Sequence, residues 1–187
     1  MTNDTATPFR GSVSWALVTM NGRKLAGGRR PEVGRALADT LVADLDLDKE
    51  VSRAGARRVA VVFALKDEKG RRVRPEGARP RPPSGGRVSG GAVYFVPSKH
   101  LELADPLISL AVRGVKDRWE VSLKAGCLAR FVEISAGTKP RIWDDNYFDL
   151  ASGEKRVVSC PRLPGEGAAA FKRALRVYSL YEAGGLR

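Results

Sequence analysis

The feature that most limits what this chain can fold into is an apolar period of two. Trp119, Val121 and Leu123 alternate with Glu120, Ser122 and Lys124. Val59, Val61, Phe63 and Leu65 repeat the apolar half of that pattern, and Leu41, Ala43, Leu45 and Leu47 alternate with Val42, Asp44, Asp46 and Asp48. Successive side chains of a strand point to opposite faces, so each run would bury one face and wet the other. Strands half-buried in this way belong to antiparallel sheets. Further strands are predicted over Val13–Val18, Ala92–Val96, Leu107–Arg113, Leu128–Ser135, Tyr147–Leu150, Lys155–Cys160 and Ala174–Tyr181. Turn formers separate them at Asn21-Gly22, Glu68-Lys69-Gly70, Lys116-Asp117 and Ser152-Gly153-Glu154. Many short strands with regular turns argue for β-sandwiches, and helix is expected only over Gly167–Leu175.

Length then sets the number of domains. The chain has 187 residues, 43% of them apolar, which suits one medium domain or two small ones. Proline restricts the residue before it, so Ala104-Asp105-Pro106 is a natural joint. The stretch Arg71–Gly91 holds six arginines at 71, 72, 74, 79, 81 and 87, with four prolines and several glycines. It has no apolar surface to bury and is expected to be a mobile loop.

Composition excludes several functions. The net charge of +12 attracts polyanions non-specifically. No basic helix, zinc-knuckle spacing or ribonucleoprotein-type aromatic motif accompanies it, so nucleic acid is not the favoured partner. Cys127 and Cys160 lack metal-type spacing and are expected as free thiols. Met1–Arg10 is polar and no run is long enough to span a membrane, so a soluble cytoplasmic chain without a membrane partner is expected.

Little here can carry chemistry. His100 is the only histidine, and no serine or cysteine sits in a nucleophile elbow. No Cys/His/Asp/Glu cluster suggests a metal, and Gly27-Gly28 and Gly85-Gly86 lack the strand-turn-helix context of a phosphate loop. Cofactor and metal are therefore both expected to be none. Of the three tryptophans, Trp15 and Trp119 lie on alternating apolar faces and are expected in cores. Trp143 precedes a turn and is the candidate carbohydrate or interdomain contact.

The stretch Trp143-Asp144-Asp145-Asn146-Tyr147-Phe148-Asp149-Leu150, followed by Gly153-Glu154, resembles the F-S-D-N-Y-F-x-L-x-P-G-E signature of the C-terminal immunoglobulin-like domain of β-mannosidases in glycoside hydrolase family 2. Trp119–Leu123, Leu128–Val132 and Val177–Leu180 are similar to strands around that signature. Trp15-Ala16-Leu17, Val61-Val62-Phe63 and Tyr94–Lys99 resemble the sandwich domain that precedes it. The departures are Asp144 in place of serine and Ala151-Ser152 in place of Leu-Pro. The motif makes physical sense as a folding element: Asp145 and Asn146 suit a turn, Tyr147, Phe148 and Leu150 enter a strand, and Gly153 with Glu154 opens the next hairpin.

The resemblance implies an all-β chain with two immunoglobulin-like antiparallel β-sandwich domains in tandem. The expected layout is a disordered N-terminus over 1–12, a mannosidase Ig-like sandwich over 13–103 with its mobile loop at 71–91, and a C-terminal Ig-fold domain over 105–187. Glycoside cleavage with retention needs two carboxylates about 5 Å apart, and in the resembled family these are glutamates of a catalytic barrel. Asp144 and Asp145 are neighbours whose side chains diverge, so no catalytic residue is expected in this chain. The function implied is a non-catalytic accessory portion of a β-mannosidase-like hydrolase, either a separate subunit or a truncated gene product, whose parent family releases terminal β-mannose. A stand-alone carbohydrate-binding sandwich and a basic polyanion scaffold are the alternatives. The partners implied are a catalytic-barrel polypeptide and oligosaccharide.

Overall fold

Antiparallel pairing dominates the computed structural model, which describes residues 1–67, 90–137 and 140–183. These residues fall into two compact units that divide between Glu102 and Leu103.

The first unit contains β1 (Thr2–Asn3), β2 (Phe9–Thr19), β3 (Lys24–Gly34), β4 (Ala38–Asp39), α1 (Asp48–Ala54), β5 (Val59–Asp67) and β6 (Gly90–Tyr94), and then a 3-10 turn at Ser98–His100. Its main sheet has the order β3-β2-β5-β6, beside a short β1-β4 ladder. The predicted turn at Asn21-Gly22 closes the β2-β3 hairpin: Gly22 takes φ +88°, and its amide donates to the Thr19 carbonyl at 2.8 Å. Leu17 pairs with Val61 and Thr19 with Val59. Leu17, Val59 and Val61 then bury one sheet face against Leu47, Val51 and Ala54.

Two expectations for this unit are corrected. Leu41–Asp48 is no strand. Leu41 is 85% exposed, and of the alternating leucines only Leu47 is buried. The Asp46 carboxylate accepts the Asp48 amide at 3.2 Å, the local bond by which an aspartate turns the chain, and α1 begins there. Asp48 and Glu50 in the first turn suit the helix dipole. Residues 1–12, expected to be disordered, contribute β1 and the start of β2. Asn3 is buried, donating to the carbonyls of Thr7 and Arg35 at 3.0 Å each, and the Met1 ammonium donates to the Thr40 carbonyl at 2.7 Å. The expected mobile loop at 71–91 lies outside the described residues up to 89; Gly90 and Gly91 open β6.

The second unit contains β7 (Ser109–Val115), β8 (Arg118–Lys124), β9 (Ala129–Ala136), β10 (Phe148–Leu150), β11 (Lys155–Pro161), α2 (Ala168–Ala174), β12 (Leu175–Tyr178) and α3 (Leu180–Ala183). Two three-stranded sheets, β11-β8-β7 and β10-β9-β12, enclose its core. Trp119, Val121 and Leu123 face inward from β8, as their period requires. Val132, Ile134 and Ala136 do so from β9, and Val158 and Cys160 from β11. Phe171 of α2, fully buried, stacks on Trp119 with centroids 5.0 Å apart. The strand expected over Ala174–Tyr181 ends at Tyr178. There Ser179 caps α3, giving its amide and hydroxyl to the Glu182 carboxylate while its oxygen accepts the Tyr181 amide. The chain is all-β in character, as expected, and no described helix is long and apolar enough to cross a membrane.

The two leucine environments give a direct check. Leu17→Ala should cost about 2–5 kcal/mol in urea denaturation, the usual penalty for a buried leucine. Leu41→Ala should stay within about 0.5 kcal/mol, as expected for a surface site. Equal losses would mean that Leu41 packs in a strand after all.

Candidate functional site

The signature runs from the approach to β10 through the turn that carries the chain from the β10-β9-β12 sheet into β11 of the other sheet. Strand β9 is eight residues long, but β10 is only three. The Phe148–Val132 pair is the last backbone pairing of β10. Beyond it, the Asn146 side chain continues the ladder. Its Oδ1 accepts the Ile134 amide at 2.8 Å, and its Nδ2 donates to the Ile134 carbonyl at 3.0 Å. One carboxamide thus satisfies both polar groups of a buried residue, as a paired strand would.

The neighbouring residues tie the same segment to β11 and β9. The Asp144 carboxylate accepts the amide and hydroxyl of Ser159, at 2.8 and 2.6 Å. Asp145 and Glu154 both pair with Arg156, at 3.4 and 3.5 Å, and the guanidinium lies 4.3 Å from the centre of the Phe148 ring. Leu150 is fully buried and Phe148 nearly so. Asp149 accepts the Phe131 amide at 3.0 Å. Between Phe148 and Leu150 the register slips by one residue, so β9 bulges there, and Phe131 takes φ +50°. Gly153 turns the chain at φ +71°, with nothing within 4 Å of where a Cβ would stand. Its amide donates to the Ala125 carbonyl at 2.9 Å.

Trp143 is half-buried and packs on the same core, its ring 6.4 Å from that of Phe171. His100 is exposed in its 3-10 turn, where its carbonyl accepts Arg57 Nε at 2.7 Å. The thiols of Cys127 and Cys160 are both buried. Burial pushes each up, so both stay protonated and poorly nucleophilic; at Cys127 Asp105 adds to the rise, and at Cys160 burial outweighs Arg141. No group of three or more metal-ligating side chains occurs among the described residues.

A second polar knot was not legible in the sequence. Glu166 accepts Trp119 Nε1 at 2.7 Å and pairs with the nearly buried guanidinium of Arg141. Arg141 also donates to the carbonyls of Ala136 and Pro161, at 3.3 and 3.2 Å. Burial alone would raise the Glu166 carboxyl. Hydrogen bonds from Arg141, Trp119 and the Leu163 amide, with the charge of Arg141, outweigh burial and hold it below its ordinary value. Nothing in local spacing joins residues 119, 141 and 166. The only sequence signal was a tryptophan on a core face, whose indole N–H requires a partner.

Two outcomes follow. Asn146→Ala should lower stability by roughly 2–4 kcal/mol in chemical denaturation, since it leaves two buried backbone groups unpaired. Asn146→Asp, which keeps the acceptor alone, should fall between that variant and the parent. For Glu166 the folded form holds its proton less tightly than the unfolded chain. The stability it contributes is therefore present above the unfolded value of 4.5 and is lost as pH falls through the lower folded value. A thermal melt series from pH 7 to 3 should show this acid limb, and Glu166→Gln should make it shallower.

Comparison with known proteins agrees with this architecture. Residues 1–100 match the model of the mannosidase Ig/CBM-like domain, and residues 103–183 match that of the mannosidase Ig-fold domain. Among solved structures, β-D-mannosidase from Dictyoglomus thermophilum aligns with a TM-score of 0.61 at 17% identity, over 95% of this chain and 19% of that one. The exo-chitosanase CsxA of Amycolatopsis orientalis aligns with a TM-score of 0.53 at 14% identity, over 95% of this chain and 24% of that one. At such identities the likeness shows the fold, and the chain spans about a fifth to a quarter of each enzyme. No curated protein matches it significantly. The chain belongs to the mannosidase Ig/CBM-like domain family, with a mannosidase Ig-fold domain after it, and so carries two immunoglobulin-like domains in tandem.

Proposed function

We propose that this chain is a non-catalytic accessory portion of a β-mannosidase-like glycoside hydrolase, working with a catalytic barrel on a separate or continuous polypeptide. The observation that carries this is how the signature carboxylates are used. Asp144 binds Ser159, Asp145 and Glu154 bind Arg156, and Asp149 holds the bulge at Phe131. A glycosidase pair needs one carboxyl poised as acid and another open to the anomeric carbon. Groups committed to guanidinium, hydroxyl and backbone partners fill neither role. The match of both domain models along the chain supports the accessory reading, since the aligned hydrolases carry this portion as a minor part of a much longer chain.

Two measurements test the proposal. The purified chain should not hydrolyse an aryl β-mannoside; turnover that disappears in a folded Asp145→Ala variant would overturn it. Mixed with a β-mannosidase barrel polypeptide stripped of its own C-terminal sandwiches, the chain should co-elute in size-exclusion chromatography. Separate elution, together with glycan binding by the chain alone, would replace the accessory reading with a stand-alone carbohydrate-binding module.

A further inference from the structure

The outer face of the β10-β9-β12 sheet collects aromatic side chains that the core does not use. On β12, Leu175 and Val177 pack inward, so Tyr178 faces out, paired with Glu133 of β9. On the other side of β9, Tyr147 precedes Phe148, the partner of Val132, and so stands beside Glu133 as well. The two tyrosines flank Glu133 at two strand spacings, about 10 Å apart. One step along β9, the bulge puts two consecutive side chains on the outer face, because Ala129 and Val132 are the inward ones. These are Phe131 and Arg130, whose guanidinium lies 4.3 Å from the Phe131 ring centre and pairs with Asp149 at 3.6 Å. Tyr178 and Phe131 are each 45% exposed, and Tyr147 is 63% exposed.

The backbone beneath two of these rings is strained. Phe131 takes φ +50° and Tyr147 φ +57°, the left-handed region that bulky residues avoid. Such conformations cost of order 1–3 kcal/mol each and persist where surrounding structure fixes them, often at ligand sites.

We propose that this face is a glycan-binding platform that takes a β-linked pyranose chain. The apolar C–H faces of the sugar rings stack on Tyr147, Phe131 and Tyr178, and the Glu133 carboxylate accepts hydroxyl hydrogens between them. Charge favours a neutral ligand. Glu133 and Asp149 on this face balance Arg130 and Arg176, although the chain as a whole carries +12. Size disfavours a protein partner. The face spans three strands by about four residues, roughly 200 Å² from strand spacing and rise, whereas a stable interface buries about 800 Å² per partner. The assignment rests on this sheet alone and is independent of whether the chain serves a catalytic barrel.

Calorimetric titration of the full chain with β-1,4-mannopentaose and with chitopentaose tests it. At least one should bind. Tyr178→Ala should weaken that binding about tenfold, the scale of one stacked ring, while Tyr178→Phe should keep it. Tyr147→Gly should weaken binding without lowering the thermal midpoint, since glycine accepts φ +57° freely. That variant separates lost contact from lost folding. Phe63→Ala, at an exposed aromatic of the first unit, should change nothing. The proposal is overturned if neither glycan binds at millimolar concentration or if binding survives Tyr178→Ala unchanged. It is also overturned if Phe63→Ala abolishes binding, or if sedimentation shows self-association that Tyr178→Ala removes, which would make the face a protein contact.

Discussion

Ile134 gives both its amide and its carbonyl to a side chain, and the second unit depends on that substitution. Strand β9 is the middle of its sheet and longer than either neighbour. Its partners β10 and β12 contribute three and four residues, so backbone alone cannot satisfy it. A buried amide or carbonyl left without a partner costs about 1–3 kcal/mol. Asn146 supplies the missing pair at Ile134, and Asp149 supplies an acceptor at Phe131. Asp144 then fastens the same segment to β11 of the facing sheet through Ser159. Three polar side chains, Asp144, Asn146 and Asp149, thereby tie this segment to both layers.

Much of the arginine in this unit is also structural. Arg156 lies over Phe148 between Asp145 and Glu154, Arg141 lies 5.2 Å from the centre of the Phe171 ring and pairs with Glu166, and Arg118 donates to the Ser159 hydroxyl. Guanidinium suits these places because it is planar, always charged and weakly hydrated. Buried pairs of this kind contribute less net stability than their Coulomb attraction suggests, because both ions lose water. Their directional bonds nonetheless admit few alternative packings. The ion pairs do not reduce the positive charge of the composition, since each cation buried in one takes a carboxylate with it and the net +12 remains.

What was legible in the sequence follows from the same physics. Trp119, Val121 and Leu123 announced β8 because alternation records a strand with one buried face, and Val59 and Val61 announced β5 in the same way. The identical alternation of Leu41 through Leu47 misled, because period alone does not require a ladder partner and Asp46 could start α1 instead. Strand β3 was missed for the opposite reason. Lys24–Gly34 has no alternation, and its pairing to β2 uses glycine where a side chain would collide: a Cβ on Gly28 would stand 3.0 Å from the Trp15 indole nitrogen. In the sequence the signature around Asp145 reads as turn formers leading into a strand. That Asn146 reaches a strand twelve residues away was not legible, since a turn-forming asparagine and a ladder-completing one are the same letter.

The fold and the aromatic face meet in one short motif. Left-handed backbone at Phe131 and Tyr147 would relax if nothing held it. The Phe131 amide is held by Asp149, and the Tyr147 amide by Asn146 Oδ1 at 3.1 Å. These are the polar groups that complete β9. The bonds that close the ladder therefore also fix the strained residues. Alternation from the inward Val132 and Phe148 already turns Phe131 and Tyr147 outward; it is Arg130 that a regular strand would have sent into the core. A bulge with its second residue held left-handed lets Arg130 and Phe131 share one face, which a regular register forbids. The outward aromatic surface thus follows from alternation and the bulge together, and its chemistry is set by which side chains occupy those positions.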